Sequence, residues 1–391
     1  PLANVQISHV TAKCKSLGKM RDVSSFTLKN AQITTTDPIL KVDGCSGVRL
    51  LDVKNTEPEQ AIQINYEGEN QDSVLVQDYP LTYHSIRPGQ VWLDTNGNPI
   101  QAHGFQLLEK DGIYYWYGEN KEYTTLGSNV WTYGIRCYRS RDFYNWEDCG
   151  LIIKPDTVNP LSPLHYSQTL DRPHIIYNEK TGKYVCWIKS MDTDGYFVSL
   201  QAGDLLGPYE YVRSLKPGGY GVGDFDMYVD PETGNGYVWF ERPHWEMICA
   251  RLTDDFMDIT PGYSKHFIGL RPPFTREAPT HFVYEGTHYL FTSGTTGYVP
   301  NLSLVSSFDD YHGDYVDLGN PHPADKFQSS FSSQITDVIK IPGKNLYVAL
   351  ADRWLPQLTN TDIPMRTARN KEKHYLDHQP FPKDFSEPKT K

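Results

Sequence analysis

Three acidic side chains in this sequence sit where proton transfer could be organised: Asp171, Asp224 and Glu277. Glu277 lies in REAP (276–279) at the mouth of an expected strand, beside an apolar stretch. Burial there would raise its pKa and keep it protonated as a proton donor. The plainer alternative is a rim carboxylate paired with Arg276. Asp224, in GDFDMYVDPETG, could hold substrate hydroxyls or bias the protonation of Glu277, although aspartate at a strand start also serves as a cap or turn former. Asp226 and Asp230 alternate along the same strand, Asp230 shaping the Asp-Pro turn. Three acids without a His cluster or a CxxC pair suit hydrolysis of a glycosidic bond better than metal chemistry.

A repeat must position these groups. Five times a short polar residue opens a strand that turns and returns on an aromatic-rich strand: His103, Asp171, Asp224, Glu277 and Gln334 open, and YYWYGE, YVCWIK, YVWFE, YLFTSG and YVALADRW return. Each opening residue precedes the aligned tyrosine (Tyr115, Tyr184, Tyr237, Tyr289, Tyr347) by 12 or 13 positions. The intervening turns, among them Asp111-Gly112, Glu285-Gly286 and Pro342-Gly343, carry glycine for the positive φ of tight hairpins. Such a repeat predicts an all-β chain whose main domain is a five-bladed β-propeller. The first strand of each blade lines a central channel, so the five opening residues converge on one funnel. Trp116, Trp131, Tyr196 and Tyr298 lie near strand ends, where aromatic faces stack on sugars or fill the core.

The bulk numbers narrow the partner. The chain has 391 residues, 37 Lys and Arg against 48 Asp and Glu, and a net charge of −11, with a mean hydropathy of −0.55. No basic run favours nucleic acid or an anionic membrane, and no apolar stretch approaches the roughly 18 residues of a membrane span. A neutral ligand fits best. Six scattered cysteines argue against a disulfide scaffold or a structural zinc site; Cys137 and Cys149 flank one expected hairpin and are the one pairing to consider.

Residues 1–65 lack the propeller pattern. Short strands beginning near Val5, Ser25 and Val48 are 20 and 23 residues apart, as in coils of a right-handed parallel β-helix; an N-terminal β-sandwich is the alternative. They loosely resemble the C-terminal coils of pectin-degrading β-helix enzymes. Residues 66–90 read as a linker and 91–391 as the propeller, the fifth blade showing only its first hairpin. The chain opens on Pro1 in mid-pattern, as the tail of a longer solenoid would, and no leader begins it; a secreted or periplasmic location is expected.

The segments DTNGNPIQAHG (94–104), YYWYGENK (114–121), RPHIIYN (172–178), TGKY (181–184), REAP (276–279), YLFTSGTTG (289–297), SSQ (332–334) and DRW (352–354) resemble, in order, glycoside hydrolase family 43. The likeness is strongest to its exo-β-1,3-galactanase branch. It implies a five-bladed propeller and an inverting mechanism without cofactor, a structural calcium in the channel being left open. By the resemblance Glu277 corresponds to the general acid and Asp224 to the carboxylate that tunes it. The wider family places an aspartate base on the first inner strand, where this chain has His103; the galactanase branch shares that loss and uses a glutamine, matched by Gln334, to position or activate water. Asp171 stands where that branch usually has Glu, so it binds sugar hydroxyls, relays a proton or is itself the base. Glu119, Tyr196, Thr296, Asn301 and His103 match positions lining the sugar subsite. The expected reaction is release of terminal galactose from β-1,3-galactan, a plant-type polysaccharide. Release of arabinofuranose or xylose, and a carbohydrate-binding propeller without turnover, are the alternatives.

Overall fold

In the computed structural model, each expected hairpin closes where its turn residues demand. Asp111 and Gly112 take φ of 55° and 73°, and Glu285 and Gly286 take 50° and 81°. Two successive left-handed residues match the right-handed twist of the flanking strands. The structure describes residues 2–56, 59–67, 74–77, 82–86, 91–125, 128–191, 194–297, 299–341 and 343–354. Tyr298, Pro342 and the expected polar tail beyond Trp354 lie outside them.

The described residues fall into two compact units: those within Pro1–Ile100 and Arg139–Asp148, and those within Gln101–Tyr138 and from Cys149 onward. The first is built on parallel ladders. Leu2–Lys13, Val23–Thr34 and Val48–Thr56 pair side by side in parallel, and Val74–Gln77 adds to the last of them. Lys19–Arg21, Ile39–Asp43 and Gln63–Tyr66 form a second parallel sheet. Val5 pairs with Phe26 and Thr27 with Arg49, a coil repeat of 21 or 22 residues (26 − 5, 49 − 27). Val23, Phe26, Leu40, Val42, Val48 and Leu50 from both sheets form its core. The parallel ladder continues through Val74–Gln77, inside the segment expected to be a linker.

The second unit has the β-propeller arrangement. Four antiparallel four-stranded sheets follow one another, with innermost strands His103–Lys110, Leu170–Asn178, Phe225–Val229 and Arg276–Tyr284. A two-stranded sheet, Ser333–Lys340 with Tyr347–Arg353, comes last. The sequence led us to expect five blades; among the described residues four are complete and the fifth repeat is a hairpin. The five inner strands nevertheless touch in a closed cycle, first to second and onward, with the fifth returning to the first. Between the second and third sheets Trp187, Phe197, Phe225 and Phe240 are buried together. Each such side chain contributes about 1.5–3 kcal/mol of apolar burial.

Polar groups buckle the ring deep in the channel. Asp226 accepts hydrogen bonds from Gln106 Nε2 (2.9 Å) and the His281 backbone N–H (2.6 Å) and faces His174 Nδ1 at 3.1 Å, joining the first four inner strands. Asp337, on the fifth, accepts from the Leu107 N–H at 2.6 Å, and burial raises its pKa to about 7. Asp230 shapes its turn by accepting from the Glu232 and Thr233 amides (2.8 and 3.1 Å). All six cysteines are free thiols, so Cys137 and Cys149 are not bridged.

Candidate active site

The five opening residues lie at corresponding positions of their hairpins, and each faces a polar residue on the returning strand. His103 pairs with Glu119, Asp171 with Lys189, Glu277 with Ser293 and Gln334 with Asp352. The Asp224 backbone carbonyl accepts the Glu241 backbone N–H at 2.8 Å. The partners recur at the end of each aromatic strand, a signal present in YYWYGE, YVCWIK and YVWFE. Sequence reasoning passed over Lys189, Glu241 and Ser293 because those strands read as apolar runs with polar ends.

Just beyond the opening residue, three of the inner strands bulge. Two residues oppose one after His103, Asp171 and Glu277, and the first of each pair is left-handed: Gly104 (φ 55°), Arg172 (49°) and Ala278 (49°). A bulge bends the strand and re-aims the side chain before it. The Gly104 position is also crowded, since an added Cβ would stand 2.3 Å from Glu119 Oε1.

Lys189 and Arg172 supply the positive charge among these acids. Lys189 Nζ lies 2.5 Å from Asp224 Oδ1 and 3.5 Å from Asp171 Oδ2, and Arg172 Nε lies 3.2 Å from Asp224 Oδ1. Arg172 also donates to Gln334 Oε1. Because a guanidinium only donates, that contact fixes the amide: its Nε2 points to Glu277 Oε1 (3.2 Å) and Ser293 Oγ (2.9 Å). Gln334 thus ties Glu277 to Arg172. Asp171 Oδ1 accepts from the Trp131 indole at 2.5 Å, with Lys121 Nζ 4.0 Å away.

Burial holds the Glu277 carboxyl well above the ordinary range, and the carboxylates of Asp224 and Glu241 push the same way against Arg172 and Lys189. The environment therefore favours the protonated form of Glu277. Arg276 turns away to Asp317, 2.6 Å distant, so the alternative of a Glu277–Arg276 pair does not hold. Burial, reinforced by Asp224, raises Glu241 as well.

Four positions matched to the sugar subsite are tied into the frame. Glu119 is buried; burial opposes its charge, but Lys121 (2.6 Å) and His103 (3.4 Å) hold its pKa far below normal, and it accepts the Arg172 backbone N–H at 2.9 Å. Burial works against the imidazolium of His103, yet Asp352 (3.5 Å) and Glu119 raise its pKa. Asn301 brackets Gly294 with bonds of 2.8 and 2.7 Å and donates to Thr296 Oγ1 at 2.6 Å, while Thr296 donates to Val299 O. Tyr196 opens the third strand of the second sheet, opposite Ser190. A recess is lined by Ser293, Val299, Asn301, Gln334 and Trp354. Among the described residues no group of three or more His, Cys, Asp or Glu side chains is placed to hold a metal ion, and no helix is long and apolar enough to cross a membrane.

The model of glycosyl hydrolases family 43 matches residues 98–352, which contain all of these groups but Trp354. The chain belongs to glycosyl hydrolase family 43. No curated protein matches it. Among solved structures, this family 43 chain is similar to a family 43 β-1,3-galactosidase with galactodeoxynojirimycin, at 28% identity and a TM-score of 0.62 over 70% of this chain and 92% of that one. An exo-β-1,3-galactanase from Clostridium thermocellum is 28% identical, TM-score 0.60, over 71% and 60%. One from Phanerochaete chrysosporium with β-1,3-galactotriose is 25% identical, TM-score 0.61, over 70% and 61%. The family 43 chain thus aligns to about three fifths of the length of these last two proteins.

Proposed function

We propose that this protein is an exo-acting, inverting glycoside hydrolase that releases terminal galactose from β-1,3-galactan. The similar structures are β-1,3-galactosidases and exo-β-1,3-galactanases, and the observation that carries the chemistry is the buried Glu277 carboxyl, its pKa raised, held by Gln334 among paired charges. The recess beside Gln334 and Trp354 is read as the seat of the terminal sugar. The two-stranded sheet is read as the inner half of a fifth blade, since its inner strand completes the cycle. The substrate class implies a secreted or periplasmic enzyme acting on plant-type polysaccharide.

In the proposed reaction Glu277 gives its proton to the glycosidic oxygen as the C1–O bond breaks, and water attacks C1 from the opposite face. Asp171, on the second inner strand while Glu277 is on the fourth, takes the proton that water loses. Inverting carboxyl groups stand about 6.5–9.5 Å apart to admit that water. Asp224, paired with Lys189 and Arg172 beside the acid, accepts sugar hydroxyls. Gln334, with its oxygen on Arg172 and its nitrogen on Glu277, positions the acid. The test is galactose release from β-1,3-galactan by the parent and by Glu277→Gln. The variant is expected to lose about 10²–10⁴-fold in kcat; equal rates would overturn the assignment of the acid.

A further inference from the structure

On the third sheet, the turn between the second and third strands leaves the Trp245 side chain 62% exposed. An indole in water forgoes the burial that aromatic side chains normally provide. The turn is nevertheless tightly fixed. The Trp245 N–H donates to the Arg242 carbonyl at 2.9 Å, and Arg242 pairs with Glu246 at 3.3 Å. The guanidinium carbon of Arg242 lies 4.8 Å from the centre of the Trp245 ring and 5.3 Å from that of Tyr220, so it braces the indole. His244 is left-handed (φ 61°), and its N–H is held by Glu241 Oε1 at 2.8 Å.

The same turn is anchored in the active site. Glu241 lies across the hairpin from Asp224, and its carboxylate so crowds the preceding residue that a Cβ on Gly223 would stand 2.1 Å from Oε2. From Trp245 through His244 and Glu241 to Asp224, each link is a bond or a direct contact. A rigid, exposed indole whose turn is pinned through Glu241 to the backbone of Asp224 has a use that folding does not supply.

We propose that Trp245 is a stacking platform for a second pyranose ring of the substrate, the sugar on the leaving-group side of the scissile bond. The ligand class is a neutral hexopyranose whose apolar C–H face lies on the indole; the inference rests on the galactan reading above. The 391-residue Glu277→Gln protein, whose turnover is slowed about 10²–10⁴-fold, is titrated with β-1,3-galactotriose and with galactose, and the titrations are repeated after adding Trp245→Ala or Trp245→Phe. Trp245→Ala is expected to weaken galactotriose about tenfold and leave galactose affinity and melting temperature unchanged, with Trp245→Phe restoring part of the loss. Unchanged galactotriose affinity, or an equal loss for both sugars, would overturn the platform while leaving the galactan reading in place. Failure of the Glu277→Gln protein to bind either sugar would overturn both.

Discussion

At the scale of single residues, the account turns on one proton. Glu277 must carry it, so activity falls as pH rises through the Glu277 pKa. Burial sets that pKa high, Asp224 and Glu241 add to it, and Arg172 and Lys189 oppose them. Asp224→Asn removes a negative neighbour; it should lower kcat and move the alkaline limb of the kcat profile to lower pH. Lys189→Met removes a positive neighbour and should move the same limb to higher pH. Steady-state profiles of the two variants read both shifts, and shifts in one direction would contradict the assignment. Glu277, Asp224, Asp171 and Gln334 were legible as strand-opening residues. Their charge partners were not, because Arg172 sits inside Asp-Arg-Pro and Lys189 ends an apolar run, where nothing local shows that strands distant in sequence bring them together. Glu119, Thr296 and Asn301, matched to the sugar subsite by resemblance, are engaged with the protein's own groups.

At the scale of elements, the device that aims the site is the bulge that follows the opening residue. The hairpins could be read from their turns and aromatic strands. The bulges could not, for Arg172 and Ala278 are ordinary residues in left-handed conformation, and only the neighbouring strands require it. Gly104 shows the requirement most plainly: its φ is 55°, Glu119 Oε1 occupies the space a side chain would need, and the same oxygen holds the Arg172 N–H. Gly104→Ala should therefore displace Glu119 and with it the Arg172 bulge. Expected outcomes are a stability loss of about 1–3 kcal/mol in urea unfolding and a fall in kcat, although residue 104 is given no part in the chemistry. Wild-type stability and kcat would contradict the link between bulge and site.

At the scale of the whole molecule, the fivefold register was a forecast of convergence, and the inner strands do meet in a closed cycle. Asp226 and Asp337 buckle that cycle, although Asp226 read from sequence alone was one more acid on a strand. The coil spacing of residues 1–65 was likewise legible as a parallel ladder, whereas its continuation into Val74–Gln77 was hidden in a polar stretch. Closing the ring places Glu277 and Asp171 on non-adjacent inner strands. The most direct test is the anomeric configuration of the first product, followed by ¹H NMR as the protein digests β-1,3-galactan. The account predicts that α-galactose appears first and then mutarotates, with no such signal from Glu277→Gln. Initial release of β-galactose, or of no galactose at all, would contradict it.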